Sequence, residues 1–260
     1  MSGGAFAETF RSELTKGLWQ LGLGAVAPRI DLLSEYANMV LEWNDRAGLT
    51  TIVDPAQMAA KHFLDSLLCL RSPAWASSRL VVDVGSGAGF PGLVLALAEP
   101  ERRYTLVEAN AKRCAFLRLA AGALCANVEV VQDRAEEYAR LRGGAGRERF
   151  DAGLARAVAP LGVSCELVLP LIRVGGSFVA QVGPSQGRAL ESYASAAALP
   201  DAARPAWSVL GAALDDLRRL ELPGAAGERW LARFLKHHPA PGRYPRRPAA
   251  AQRNPLWVPG

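Results

Sequence analysis

No two cysteines in this 260-residue chain sit at CxxC spacing; Cys69, Cys114, Cys125 and Cys165 are scattered. That pattern argues against both a disulfide framework and a metal site. The four read as buried free thiols in a reducing cytoplasm. Membrane-length apolar runs are missing too. The longest uncharged stretch, Val84–Ala98, is too short for a span and holds Gly85, Gly87, Gly89, Pro91 and Gly92. Glu8, Arg11 and Glu13 interrupt any basic-then-apolar leader pattern, so export is not expected. Aromatic residues are few, at 7%, yet 50% of residues are hydrophobic and the net charge is only +5, which excludes disorder as the main state. The length suits one well-packed domain with an additional piece.

Acidic residues stop at Glu228. Beyond it stand Arg229, Arg233, Lys236, Arg243, Arg246, Arg247 and Arg253. Removing these seven from the 30 basic residues leaves 23 against 25 acids, so the basic excess lies wholly in the last stretch. Localised positive charge suits a phosphate-bearing partner; a solvated tail is the alternative. His237-His238 lacks metal-ligand company and reads as part of the same basic surface.

Residues 5–70 read as helical: Leu14, Leu18 and Leu21, then Ile30, Leu33, Tyr36, Ala37, Val40 and Leu41, recur at helical spacing. Asp54-Pro55 has the form of an N-cap and first helical residue, opening a third helix through Leu70, followed by a linker to Arg79. Short apolar runs then alternate with helical stretches. Strands are predicted at Leu80–Val84, Tyr104–Val107, Val128–Val131, Phe150–Ala155 and Phe178–Val182, with helices at Lys112–Ala123 and Gly162–Ile172. This alternation predicts an α/β fold: a mostly parallel sheet with helices on both faces. Trp207–Leu214 and Glu228–Lys236 are predicted as two more strands at an antiparallel edge, and Pro239–Gly260 as loop. The expected organisation is a helical extension over 1–79, a ligand-binding core over 80–238 and a basic Pro/Arg-rich tail over 239–260.

The strongest local pattern is Val81-Val82-Asp83-Val84-Gly85-Ser86-Gly87-Ala88-Gly89-Phe90-Pro91-Gly92. A buried strand runs into alternating glycines and then into an apolar helix. Glycines let a ligand lie against the backbone, and the helix N-terminus adds free amides. Glu108, ending the next predicted strand, can accept hydrogen bonds from both ribose hydroxyls of a nucleoside. Gly87–Gly92 formally matches the GxGxxG dinucleotide fingerprint. The better frame is Asp83-x-Gly85-x-Gly87-x-Gly89, which resembles motif I of class I methyltransferases that bind S-adenosylmethionine. Asp83 suits a cationic methionyl ammonium and would repel a pyrophosphate, and Pro91 offers no amide to one. Asp133-Arg134-Ala135-Glu136 follows the third strand, where the adenine lies in this fold, and Arg156 ends the fourth.

Together these segments resemble the GidB/RsmG family, methyltransferases acting on N7 of a guanine in 16S ribosomal RNA. The resemblance spans about Asn44 to Leu256. Its more specific segments are Lys61-His62-Phe63-Leu64-Asp65-Ser66-Leu67, Ala155-Arg156-Ala157-Val158-Ala159 and Tyr244-Pro245-Arg246-Arg247-Pro248. Val182 stands where the family often has lysine, Gly48 where it usually has asparagine, and Ala249 where it has glycine. The resemblance implies a class I Rossmann-like methyltransferase fold with a seven-stranded sheet. It also implies S-adenosylmethionine as cofactor, held by Gly85, Phe90, Ala135, Glu136 and Arg156, with Gly87 and Gly89 in the loop and Glu108 at the ribose. The implied partner is 16S ribosomal RNA or a small-subunit precursor, with no membrane and no metal, met by a monomer in the cytoplasm. Substrate contacts are expected at His62 and Asp65, three apart on one helix face, and at Tyr244, Arg246 and Arg247, stacking on a base and gripping phosphates. A pair fixing that helix against the sheet is the other reading of His62 and Asp65. Guanine N7 carries a free lone pair, so no general base is required and none is named. The competing readings are a methyltransferase on another RNA, protein or small molecule, a nicotinamide-dependent oxidoreductase, and a ribosome-binding factor without catalysis.

Overall fold

The computed structural model describes residues 3–124, 127–140, 146–195, 205–224, 226–247 and 249–257; Cys125 lies outside these. A seven-stranded sheet runs in the order β3-β2-β1-β4-β5-β7-β6. Its strands are β1 (Leu80–Val84), β2 (Arg103–Glu108), β3 (Val128–Gln132), β4 (Phe150–Arg156), β5 (Ile172–Val182), β6 (Ala212–Leu222) and β7 (Gly227–Lys236). The first five pair in parallel, and β7 joins β5 and β6 antiparallel. Strand order reverses between β1 and β4, so the crevice for a ligand opens at their carboxyl ends.

The valine-rich β1 is buried on both faces, as expected of a parallel strand clad by helices. On one face lie α1 (Gly3–Gln20), α2 (Ile30–Ala47), α5 (Gly92–Ala98) and α6 (Ala111–Leu124), joined to the sheet in one apolar cluster that includes Phe10, Leu14, Tyr36, Phe63, Val81, Leu93 and Phe116. The N-terminal helices therefore share the core of the sheet. On the other face lie α7 (Ala135–Tyr138), α8 (Leu161–Val168), α9 (Pro184–Ser195) and α10 (Ala206–Val209), packed around Trp207, Phe178, Phe234 and Tyr244.

Asp54 caps the third helical run as expected, its Oδ1 accepting from Gln57 N–H at 2.9 Å. The run changes pitch: α3 (Pro55–Met58) passes into a π-helical segment, Ala59–Leu64, then α4 (Asp65–Leu67) and a 3₁₀ turn, Leu68–Arg71. The linker holds a further 3₁₀ turn, Pro73–Ser77, with Trp75 buried. Three predicted segments are corrected. Trp207 lies in α10, and β6 starts only after Gly211, whose left-handed φ of 82° ends the helix. The helix expected to reach Ile172 stops at Val168. β5 begins at Ile172, six residues before the predicted start, its extended pattern masked by Arg173, Gly175 and Gly176. Helix α9 has no counterpart in the predicted elements. The tail is largely irregular with one turn, α11 (Ala250–Arg253), and it is anchored: Arg147 donates to the carbonyls of Tyr244 (2.8 Å) and Ala240 (2.6 Å).

Candidate active site

The β1–α5 loop is held from both sides. Gly85 N–H donates to Val107 O on β2 at 2.8 Å, and the buried Tyr36 hydroxyl donates to Ala88 O. Burial raises the Tyr36 pKa, which keeps that donor protonated. A Cβ on Gly89 would lie 2.3 Å from the Tyr36 hydroxyl, so this glycine serves close packing. A Cβ on Gly87 would meet nothing nearer than Gly85 O at 3.9 Å, so its face of the loop is open. Beside it, Glu108 is buried and aimed at the loop: Oε2 accepts from Gly87 N–H at 2.9 Å and Oε1 from Asn110 N–H at 2.8 Å. Each oxygen keeps acceptor capacity for a second donor. Asp83 is 1% exposed. Its Oδ2 accepts from Gly92 N–H at 3.0 Å, whereas its Oδ1 is buried with no hydrogen-bond partner. Burial pushes its pKa up to about 6, although the bond from Gly92 opposes the rise. An open glycine face, a carboxylate with spare acceptor capacity and an orphaned acid oxygen fit a cationic nucleoside such as S-adenosylmethionine. Ala135 and Glu136 open α7 beyond β3, and both are buried.

Arg156 ends β4 and crosses to the π-helical segment. Its Nη1 donates to Lys61 O at 3.1 Å and to Asp65 Oδ2 at 3.2 Å, while Nη2 lies 3.5 Å from His62 Nδ1. The guanidinium also lies over the Phe90 ring, 5.2 Å from its centroid. It is thus engaged by protein groups, and its observed partner is a carboxylate. The pitch change that opens the helix for it is visible at Asp65, whose N–H reaches back five residues to Ala60 O. Asp65, only 2% exposed, bridges two cations, since its Oδ1 is 3.2 Å from Arg229 Nε; Gln181 Nε2 donates to its backbone carbonyl. Asp65 therefore ties the helical run to β4, β5 and β7, the bracing alternative.

His62 stacks on Phe90, with ring centroids 4.5 Å apart and planes at 15°. A guanidinium only donates, so Nδ1 presents its lone pair to Arg156. The proton then sits on Nε2, 2.6 Å from Thr50 Oγ1. Burial, then the Arg156 charge, lower the His62 pKa to about 4, which leaves the ring neutral. His62, Asp65 and Arg156 also line a cavity of about 480 Å³ at the ends of β4 and β5, together with Lys61, Gln181 and Arg229.

The structure separates the tail residues from this cavity. Tyr244 is 6% exposed and packed in the core beneath α8, so it cannot stack on a base without leaving its site. Arg246 is spent on the fully buried Glu166, its Nη2 2.5 Å from Oε2. In this structure apolar burial claims the ring, and a buried carboxylate claims the cation. Arg247 is exposed. Arg229 carries no site signal in the sequence, where it stands among the basic residues after Glu228; it belongs to β7 and reaches this cavity. Gln181 carries no motif of its own, and Thr50 closes the Gly48-Leu49-Thr50 segment that resembles the family's, with no role legible from it.

A profile described as rRNA small subunit methyltransferase G (GidB) matches residues 29–204. The chain belongs to this family. Ribosomal RNA small subunit methyltransferase G of Symbiobacterium thermophilum is 39% identical, covering 96% of this chain and 99% of that protein. The protein of that name from Pelotomaculum thermopropionicum is 36% identical, covering 96% and 98%. Among solved structures, the O-methyltransferase from Bacillus cereus in complex with SAH superposes with a TM-score of 0.52 at 18% identity, covering 78% of this chain and 91% of that one. Cofactor-bound Rv0187 from MTB gives 0.51 at 23%, with the same coverage. These two share the fold, a Rossmann-like class I methyltransferase sheet. As a GidB-family member the chain is an S-adenosylmethionine-dependent methyltransferase. No helix among the described residues is long and apolar enough to cross a membrane.

Proposed function

We propose that the protein transfers a methyl group to N7 of a guanine in 16S ribosomal RNA. The observation that carries the reading is the adjacency, through the Phe90–His62–Arg156 stack, of the open glycine loop and a cavity large enough for a base. S-adenosylmethionine supplies an electrophilic methyl group on a sulfonium. Asp83 and Glu108 would meet its ammonium and ribose, Gly85, Gly87, Gly89 and Phe90 would form the wall behind it, and Ala135 and Glu136 would meet its adenine. N7 needs no deprotonation, so the chain's task is placement and exclusion of water. A neutral His62 takes no proton and adds no charge beside a product ring that becomes cationic. Asp65 neutralises Arg156 in the same wall and favours that product. Residues 1–79 brace this site, 80–238 carry it, and Arg247 in 239–260 contacts RNA phosphate.

Mass mapping of 16S RNA from cells with and without the gene tests the reading. One guanine should lose a methyl group in the deletion, and the site should be sensitive to cleavage chemistry specific for N7-methylguanine in the parent. Identical maps would sink the proposal.

A further inference from the structure

The cavity at the ends of β4 and β5 holds more positive charge than its wall neutralises. Three cations line it, Lys61, Arg156 and Arg229, and one carboxylate, Asp65. Arg156 is consumed by Asp65 and by the carbonyls of Lys61 and His62. Arg229 meets Asp65 through Nε alone, and its Nη1 lies on Glu228 O at 3.0 Å. Its side chain is 25% exposed. Lys61 Nζ donates to the neutral Gln57 amide oxygen at 3.1 Å, toward a neighbouring groove that Gln57 and Glu13 also line. One carboxylate thus faces two guanidinium groups, with Lys61 at the rim, and methylation at N7 would add a further positive charge. An anion entering with the acceptor would balance them.

We infer that Arg229 forms the seat for a phosphate of the target nucleotide, joined by Lys61 when its ammonium exchanges the neutral Gln57 oxygen for the anion, so the cavity binds its acceptor as a nucleotide and not as a bare base. This rests on the reading of the cavity as the acceptor site. A guanidinium takes phosphate through paired donors, and the ammonium adds a point charge. The seat lies across the sheet edge from the glycine loop: Arg156 at the end of β4 pairs in register with Gln181 on β5, which pairs with Leu231 on β7, two residues along from Arg229. A base reaching toward the loop would trail its phosphate at the β7 side.

The test is calorimetry on the full chain loaded with S-adenosylhomocysteine, at low ionic strength, with 5′-GMP, 3′-GMP and guanosine as probes. At least one nucleotide should bind about tenfold or more tighter than guanosine, and which one does identifies the flanking phosphate. Arg229→Gln should collapse that gap to about twofold while leaving S-adenosylhomocysteine affinity unchanged. Lys61→Gln, which keeps the backbone carbonyl used by Arg156 and every contact of Asp65, should shrink the gap in a folded protein even if the Arg229 variant is unstable. Equal affinity for nucleotide and nucleoside in the wild type, no binding of either, or a gap that survives both substitutions would overturn the inference. Failure of 16S RNA to accept a methyl group would count against the rRNA reading, and the phosphate gap is measured independently of it.

Discussion

Arg246 closes a two-pronged ion pair on Glu166, with Nε 2.8 Å from Oε1 and its own backbone N–H 2.8 Å from the same oxygen. Glu166 lies in α8 at 0% exposure, so removing its cation leaves a buried charge unpaired. Arg246→Ala should therefore cost about 3–5 kcal/mol of stability and lower Tm in calorimetry. Arg247→Ala, at an exposed position, should change stability by less than about 0.5 kcal/mol. The Arg247 variant, still folded, should reduce the salt slope of RNA binding by about 1. A stable Arg246→Ala protein with a reduced slope would return that residue to RNA contact.

Two glycines of one loop should separate folding from binding. Gly89→Ala drives a Cβ to 2.3 Å from the Tyr36 hydroxyl and 2.8 Å from Leu93 Cβ, so it should destabilise the protein by several kcal/mol or displace the loop. Gly87→Ala costs about 1–2 kcal/mol for its left-handed φ, with no clash inside the protein. That variant should fold, with a modestly lower Tm, and lose S-adenosylmethionine affinity because its methyl fills the open face. Unchanged cofactor affinity in folded Gly87→Ala would remove the loop from the binding wall.

Asp83 carries a folded-state pKa of about 6 against an ordinary 3.8, the mark of a buried acid that resists ionising. The folded protein then holds a proton that the unfolded chain gives up near pH 4, so stability drains away as pH rises from about 4 to about 6. The loss stays constant above that range and is on the order of 3 kcal/mol. Asp83→Asn removes this term, so its Tm relative to wild type should be more favourable at pH 8 than at pH 4. Cofactor binding should run the opposite way. Ionised Asp83 attracts a cationic ligand, so wild-type affinity should climb from pH 5 to pH 7 while the Asn variant stays flat.

Elements with a consistent local pattern were legible. The valines of β1, the glycine loop and Glu108 mark a strand, a turn and an acid whose positions follow from the chain alone, and their geometry matches. The Asp54 cap was legible for the same reason. What misled was pattern without context. Trp207 belongs to an apolar run that suits a strand or a helix equally, and only the Gly211 turn decides. Arg229 and Arg246 look alike in a chain segment free of acids. One becomes a cavity wall because antiparallel pairing of β7 with β5 brings it to Asp65, and the other is drawn to Glu166, 80 residues earlier in the chain. Partners so distant leave no local trace. The π-helical pitch over Ala59–Leu64 is equally silent in the sequence, since it is stabilised by Arg156 from another strand.

His62 is the last of these long-range effects, and it titrates in the opposite sense to Asp83. Its pKa falls from 6.5 to about 4, chiefly through burial and secondarily through Arg156. Between those values the unfolded chain takes up a proton that the folded protein refuses, so stability declines as pH drops from 6.5 toward 4 and levels off below. The ceiling on this loss is about 3 kcal/mol. Because Asp83 gains stability over much of the same range, only the difference between variant and wild type isolates the histidine. His62→Gln loses the stacking on Phe90 at every pH, but its stability relative to wild type should improve as pH falls from 7 to 4.5 in urea titrations. A pH-independent difference would mean that the ring charges freely, and with it the neutral wall beside the methylated base would be lost.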